Sequence, residues 1–94
     1  MNYIDELAMD IYRRTSGDDN PAPVEMQLYR TYALLALTTG EATTNEHVHD
    51  AWSVWVATHR PEHRSLRPFA HLTPEVQELD TPYRDAIRAV AREL

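Results

Sequence analysis

Apolar residues along this chain recur with the period of a helix and nowhere with the alternation of a strand. Ile4, Leu7, Ala8, Ile11 and Tyr12 fall at i, i+3, i+4, i+7 and i+8 and predict a first amphipathic helix. Asn2 stands where a cap is needed. Asp5 and Glu6 lie in the first turn and Arg13 and Arg14 in the last, so charge matches the helix dipole at both ends. Turn formers from Thr15 to Pro21, around Gly17, end the helix. Pro23 suits the first position of a second helix running to about Thr38. Its second half, Tyr32-Ala33-Leu34-Leu35-Ala36-Leu37, is apolar nearly all round, which predicts a central helix with neighbours on every side. Gly40 reads as its left-handed cap.

Thr43-Thr44-Asn45-Glu46 has the form of a capping box, with Thr43 as the cap and Glu46 reaching back. A third helix comes next, with Val48, Ala51, Trp52, Trp55 and Val56 as its buried stripe, and Pro61 ends it. Residues 59–72 show neither period. Leu66, Pro68, Phe69 and Leu72 are too apolar for a solvated linker and predict an ordered loop. Thr73-Pro74-Glu75 starts another helix, and with Pro82 nine residues after Thr73 either a short helix ends near Leu79 or one helix kinks there, with Asp80 or Thr81 placed to cap a restart. The last helix presents Tyr83, Ala86, Ile87, Val90 and Leu94 on one face. The expected fold is all-α: a single-domain bundle of four to five helices over residues 1–94, with an ordered irregular loop at about 59–72.

Composition narrows the chemistry. The 94 residues are enough for one core. With no cysteine, disulfides, thiolate zinc sites, iron–sulfur clusters and thiol catalysis are excluded together. Two glycines cannot supply a phosphate-cradling loop. No apolar run has membrane-spanning length and the first ten residues are acidic, so a cytoplasmic protein without membrane contact is expected. Nine basic residues, all arginine, face fifteen acidic ones for a net charge of -6, which argues against gripping a nucleic-acid duplex.

Five histidines raise the question of a metal. On a regular helix His47 and His49 point about 200° apart, and Pro61 interrupts the His59–His63 spacing, so no metal site is expected. Solvent-exposed or capping histidines are the simpler reading. No nucleophile motif appears, and no catalytic residue is assigned. One stretch runs against the global charge: His59, Arg60, His63, Arg64 and Arg67 are opposed only by Glu62, close in sequence to Trp52 and Trp55. Guanidinium forks and an aromatic face suit an anion with a planar base. The competing reading pairs these arginines with surplus carboxylates or lays their stems over the core.

Two stretches resemble the ryanodine-receptor (RyR) repeat domain. Glu46-His47-Val48-His49-Asp50-Ala51-Trp52-Ser53 is similar to its opening helix, and His63, Leu66, Pro68-Phe69, Leu72 and Asp80 are similar to the stretch before its second helix. The ten residues between Trp52 and His63 make this a truncated form, without the family's aromatic element, and Arg64 stands where proline is usual. This truncated form also resembles small proteins of actinobacteriophages. The resemblance implies that His49 and Trp52 fix the third helix against the loop. It further implies that Leu66, Pro68, Phe69 and Leu72 pin the loop to the core, and that Asp80 caps the last helix. It also implies a module for contacts between domains or with partners, or, as proposed for prokaryotic conflict systems, for nucleotide-derived ligands.

The expected function is therefore a non-catalytic binding module, phage-encoded, that engages a host or phage protein or a second copy of itself. The alternative is capture of a small anionic nucleotide-type signalling ligand by Trp52, Arg60, His63, Arg64 and Arg67. No cofactor is expected.

Overall fold

Asn2 opens the first helix as its position implies. Its backbone is extended and its side-chain oxygen accepts from the Asp5 amide at 2.8 Å, satisfying a donor that the first turn leaves free. The computed structural model describes all residues, Met1 to Leu94. It contains α1 (Tyr3–Ser16), α2 (Pro23–Thr38), α3 (Asn45–His59), a short α4 (Pro74–Glu78) and α5 (Thr81–Arg92), with single 3-10 turns at Gly40–Ala42 and Phe69–His71 and no strand. Gly17 ends α1 at φ 72° and Gly40 follows α2 at φ 57°, the left-handed conformation glycine adopts without steric cost.

Four helices meet in one core: Ala8, Ile11 and Tyr12 from α1, Tyr29, Tyr32, Ala33 and Ala36 from α2, Val48 from α3, and Ala86, Ile87 and Val90 from α5. Tyrosine rings join them edge to face, with Tyr12 and Tyr29 centroids 5.1 Å apart and Tyr29 and Tyr32 5.4 Å apart. Such pairs add roughly 0.5–1.5 kcal/mol to the burial of their area. The Tyr29 hydroxyl shares a hydrogen bond with Thr15 Oγ1 at 3.2 Å, so this buried phenol is not left unpaired. Outside the core, Arg30 binds Asp5, Arg92 binds Glu41, and Arg14 binds both Asp10 and Glu93, tying helix to helix at the surface.

Four expectations need correction. The helix α2 is not enclosed: α1, α3 and α5 pack on it, its alanines 33 and 36 turn inward, and Leu34 and Leu37 stay 55% and 41% exposed on a bare flank. A chain of this size has too few elements to surround a helix completely. The capping frame of α3 shifts by one residue. Thr44, with extended backbone, accepts from the His47 amide, and His47 Nδ1 accepts the Thr44 amide at 2.9 Å, so histidine takes the part expected of Glu46. Thr43 is instead fully buried: its hydroxyl donates to Gly40 O at 2.8 Å and its carbonyl accepts Arg88 Nε at 2.7 Å. Trp52 and Trp55 are only half-buried, while His49, between them and the start of α3, is 4% exposed. Leu94 lies beyond the end of α5 and is 67% exposed.

Candidate functional site

The loop after α3 is ordered by a few polar anchors. His49, buried on α3, has its Nε2 2.7 Å from the Arg67 carbonyl, so this nitrogen carries the hydrogen and donates it. The ring stacks on Trp52 at 5.5 Å and meets Phe69 at 6.1 Å. Gln77 of α4 closes the other side, its Nε2 donating to Phe69 O at 2.9 Å and Leu72 O at 3.3 Å. Asn45 donates from Nδ2 to Gln77 O and Thr81 Oγ1, joining the start of α3 to the α4–α5 junction. Leu66, Phe69 and Leu72 are half-buried beneath this stretch. Pro68 is exposed, where the resemblance implied a residue set against the core. Gln77 and Asn45 carry no sequence signal of their own, because their partners are backbone carbonyls and hydroxyls distant in the chain.

These anchors leave a cavity of about 430 Å³ between α2, α3, the loop and the α4–α5 junction. Its aromatic walls are Tyr32, Trp52 and Tyr83, with His49 and His63 among them and Asp80 the acid in the lining. Trp52 and His63 meet edge to face at 5.0 Å. The Nδ1 of His63 accepts the Ser65 amide at 3.0 Å, which leaves that nitrogen without a proton and the ring neutral in this arrangement.

Asp80 departs from its expected part. It occupies the cap position of α5, but its side chain makes no capping bond. A capping side chain needs extended backbone, and Asp80 sits at φ -82°, ψ -11°, because the chain turns out of α4 without leaving helical geometry. The carboxylate lines the cavity instead, without a hydrogen bond or ion pair from the protein. Burial pushes its pKa up to about 6, with the nearby His49 pulling weakly the other way. Burial also raises the Tyr32 phenol, and the Asp80 charge raises it further, so this hydroxyl stays protonated.

The five residues expected to bind a ligand are thus divided. Trp52 and His63 come together in the cavity wall; Arg60, Arg64 and Arg67 do not line it. These three are exposed and form no ion pair, while Arg13, Arg14, Arg30, Arg84 and Arg92 all bind carboxylates and Arg88 binds the Thr43 carbonyl. The basic stretch therefore pairs with none of the surplus carboxylates, and none of its arginines lines the cavity. The histidines also part company: His47 caps, His49 is buried, His63 lines the cavity, and His59 and His71 are exposed. Trp55 serves docking, donating from Nε1 to Val24 O at 3.0 Å.

A second, shallower groove of about 300 Å³ lies on the bare flank of α2, between Leu34 and Leu35 and the α3 residues His47, Ala51 and Val54. Val54 is 68% exposed there.

The molecule is a small all-α domain with one aromatic, singly acidic cavity. The chain belongs to a family described as a domain of unknown function (DUF7701), whose model matches residues 2–92. No curated protein and no solved structure matches it. No helix is long and apolar enough to cross a membrane.

Proposed function

We propose that this chain is a non-catalytic binding module that captures a small ligand in the cavity framed by Tyr32, Trp52, His63, Asp80 and Tyr83. The observation that carries the reading is the half-buried Asp80 carboxylate, which no protein group pairs in an otherwise aromatic cavity. Burying a charge without a partner costs stability, and a bound ligand supplies the missing partner. The volume lies within the range of small-molecule sites, roughly 300–1,000 Å³. The likeness to the RyR repeat supports the same reading, since His49, Trp52, His63 and Asp80 of the resembling stretches line this cavity.

The non-catalytic part rests on His49 and Ser53. Their Nε2 and Oγ atoms are 3.4 Å apart beside an acid, which invites comparison with a hydrolytic triad. That Nε2 already donates its hydrogen to the Arg67 carbonyl, so it has no lone pair with which to take a proton from Ser53. For an anionic signalling ligand, Asp80 repels a phosphate inside the cavity, and the three free arginines offer a place for it only outside.

A fragment screen by protein-observed NMR tests the reading. Several fragments are expected to shift the Trp52 indole N–H and the Asp80 amide in a saturable way. Fragments that shift only residues remote from the cavity, or none that bind, would sink it.

A second reading, engagement of a protein or of another copy of this chain, is favoured by the exposed Leu34, Leu37 and Val54 around the α2–α3 groove. Sedimentation equilibrium of the wild type against Val54→Glu measures it. Self-association that the glutamate abolishes supports the reading, and a monomer at all concentrations removes the self-association half.

A further inference from the structure

Resting on the reading of the cavity as a ligand site, we propose that its ligand carries a positively charged, N–H-bearing head of the amidinium, guanidinium or ammonium class, which pairs with Asp80 between aromatic walls. Three observations lead there. First, Asp80 is the only carboxylate in the lining, and no protein group hydrogen-bonds or ion-pairs with its side chain. The two lining histidines are engaged elsewhere: His63 Nδ1 accepts the Ser65 amide and His49 Nε2 donates to Arg67 O. Second, the remaining walls include Trp52, Tyr32 and Tyr83, aromatic side chains of the kind that attract cations, and none of them hydrogen-bonds the carboxylate. Third, all three unpaired arginines lie outside the lining, so no arginine inside the cavity meets a ligand anion.

The chemistry of the head is set by the acceptor. A carboxylate offers two oxygens side by side, and a planar amidinium or guanidinium meets both with parallel N–H groups, the geometry that makes charge-assisted pairs strong and directional. An aromatic or aliphatic body attached to such a head has Leu28, Val76 and Leu79 to lie against. Neutral amides of the same shape keep the donors and lose the charge; carboxylates of the same shape lose both.

That difference defines the experiment. Benzamidine, benzamide and benzoate are titrated into the wild type and Asp80→Asn at pH 7.5, following the Trp52 indole N–H and backbone amides by NMR, with circular dichroism as the check on folding. Benzamidine is expected to saturate with a Kd at least tenfold below that of benzamide, and benzoate to give no saturable shift. In Asp80→Asn the preference for benzamidine over benzamide is expected to vanish. Benzoate or benzamide matching benzamidine in the wild type would overturn the proposal, as would an Asp80→Asn variant that keeps the preference. If none of the three saturates while uncharged fragments from the screen occupy the cavity, the charge assignment fails and the ligand-binding reading survives. If those fragments fail as well, both fall.

Discussion

Replacing Asp80 by asparagine is expected to stabilise the protein at neutral pH and to leave it unchanged near pH 4. In the unfolded chain this carboxyl titrates near its usual 3.8; in the folded state burial raises it to about 6. Between these values the native state holds the proton more tightly than the unfolded state does, so stability falls as pH rises through the window and is lowest above it. The raised pKa is thus a contribution present in acid and lost on ionisation, the reverse of a salt-bridged aspartate. Discounted for its partial contact with solvent, the cost of carrying the charge at pH 7 is roughly 1–2 kcal/mol. For a domain of this size, relief of that cost raises Tm by several degrees, on the scale of about 4–8 °C per kcal/mol. Thermal melts of both proteins from pH 4 to pH 8 supply the comparison, which matters because Asp5, held low by its hydrogen bond to Arg30, contributes a pH dependence of opposite sign to both. A variant that melts lower than wild type at pH 7 would show that the Asp80 charge serves the N-terminus of α5 after all.

The second large effect belongs to His49. Truncation to alanine removes a ring that is 4% exposed, stacks on Trp52, touches Phe69 and satisfies the Arg67 carbonyl. Cavity formation and an orphaned backbone acceptor together cost about 2–4 kcal/mol. The loop should loosen before the bundle does. Of its three arginines, Arg60 and Arg67 precede prolines, so Arg64–Ser65 is the bond open to trypsin. Cleavage there is expected to accelerate at least tenfold in His49→Ala, beyond what the fall in global stability from urea unfolding explains. Unfolding within about 0.5 kcal/mol of wild type, with unchanged cleavage, would assign the ordering of the loop to Gln77 and Phe69 alone.

Much of the fold was legible in the chain because it depends on local rules. The cap at Asn2, the glycines at 17 and 40, the proline starts at 23 and 74 and the break at Pro82 each act within a few residues, and the structure places α1, α2 and α4 where they point. What periodicity could not give is which flank of a helix receives a neighbour. Leu34 and Leu37 are as apolar as core residues and still face outward, while His49 is polar and faces inward because one distant carbonyl accepts its hydrogen. Asp80 illustrates the same limit. The sequence Asp80-Thr81-Pro82 reads as a cap, but a cap requires an extended residue, and the continuation of α4 through Leu79 withholds it. The cavity then arises from residues on four segments, and only Trp52 and His63 among the expected ligand-binding set lie in it. The arginines drew attention by charge alone, which sequence registers without direction.

Carbon-detected NMR of the Asp80 carboxyl, titrated from pH 2 to pH 9 with and without saturating benzamidine, reaches the central point most directly. The expected midpoint is about 6 for the free protein, falling by roughly 1–3 pH units when the amidinium supplies the missing counter-charge. A free-protein midpoint already at the ordinary value, unmoved by the cation, would contradict the account.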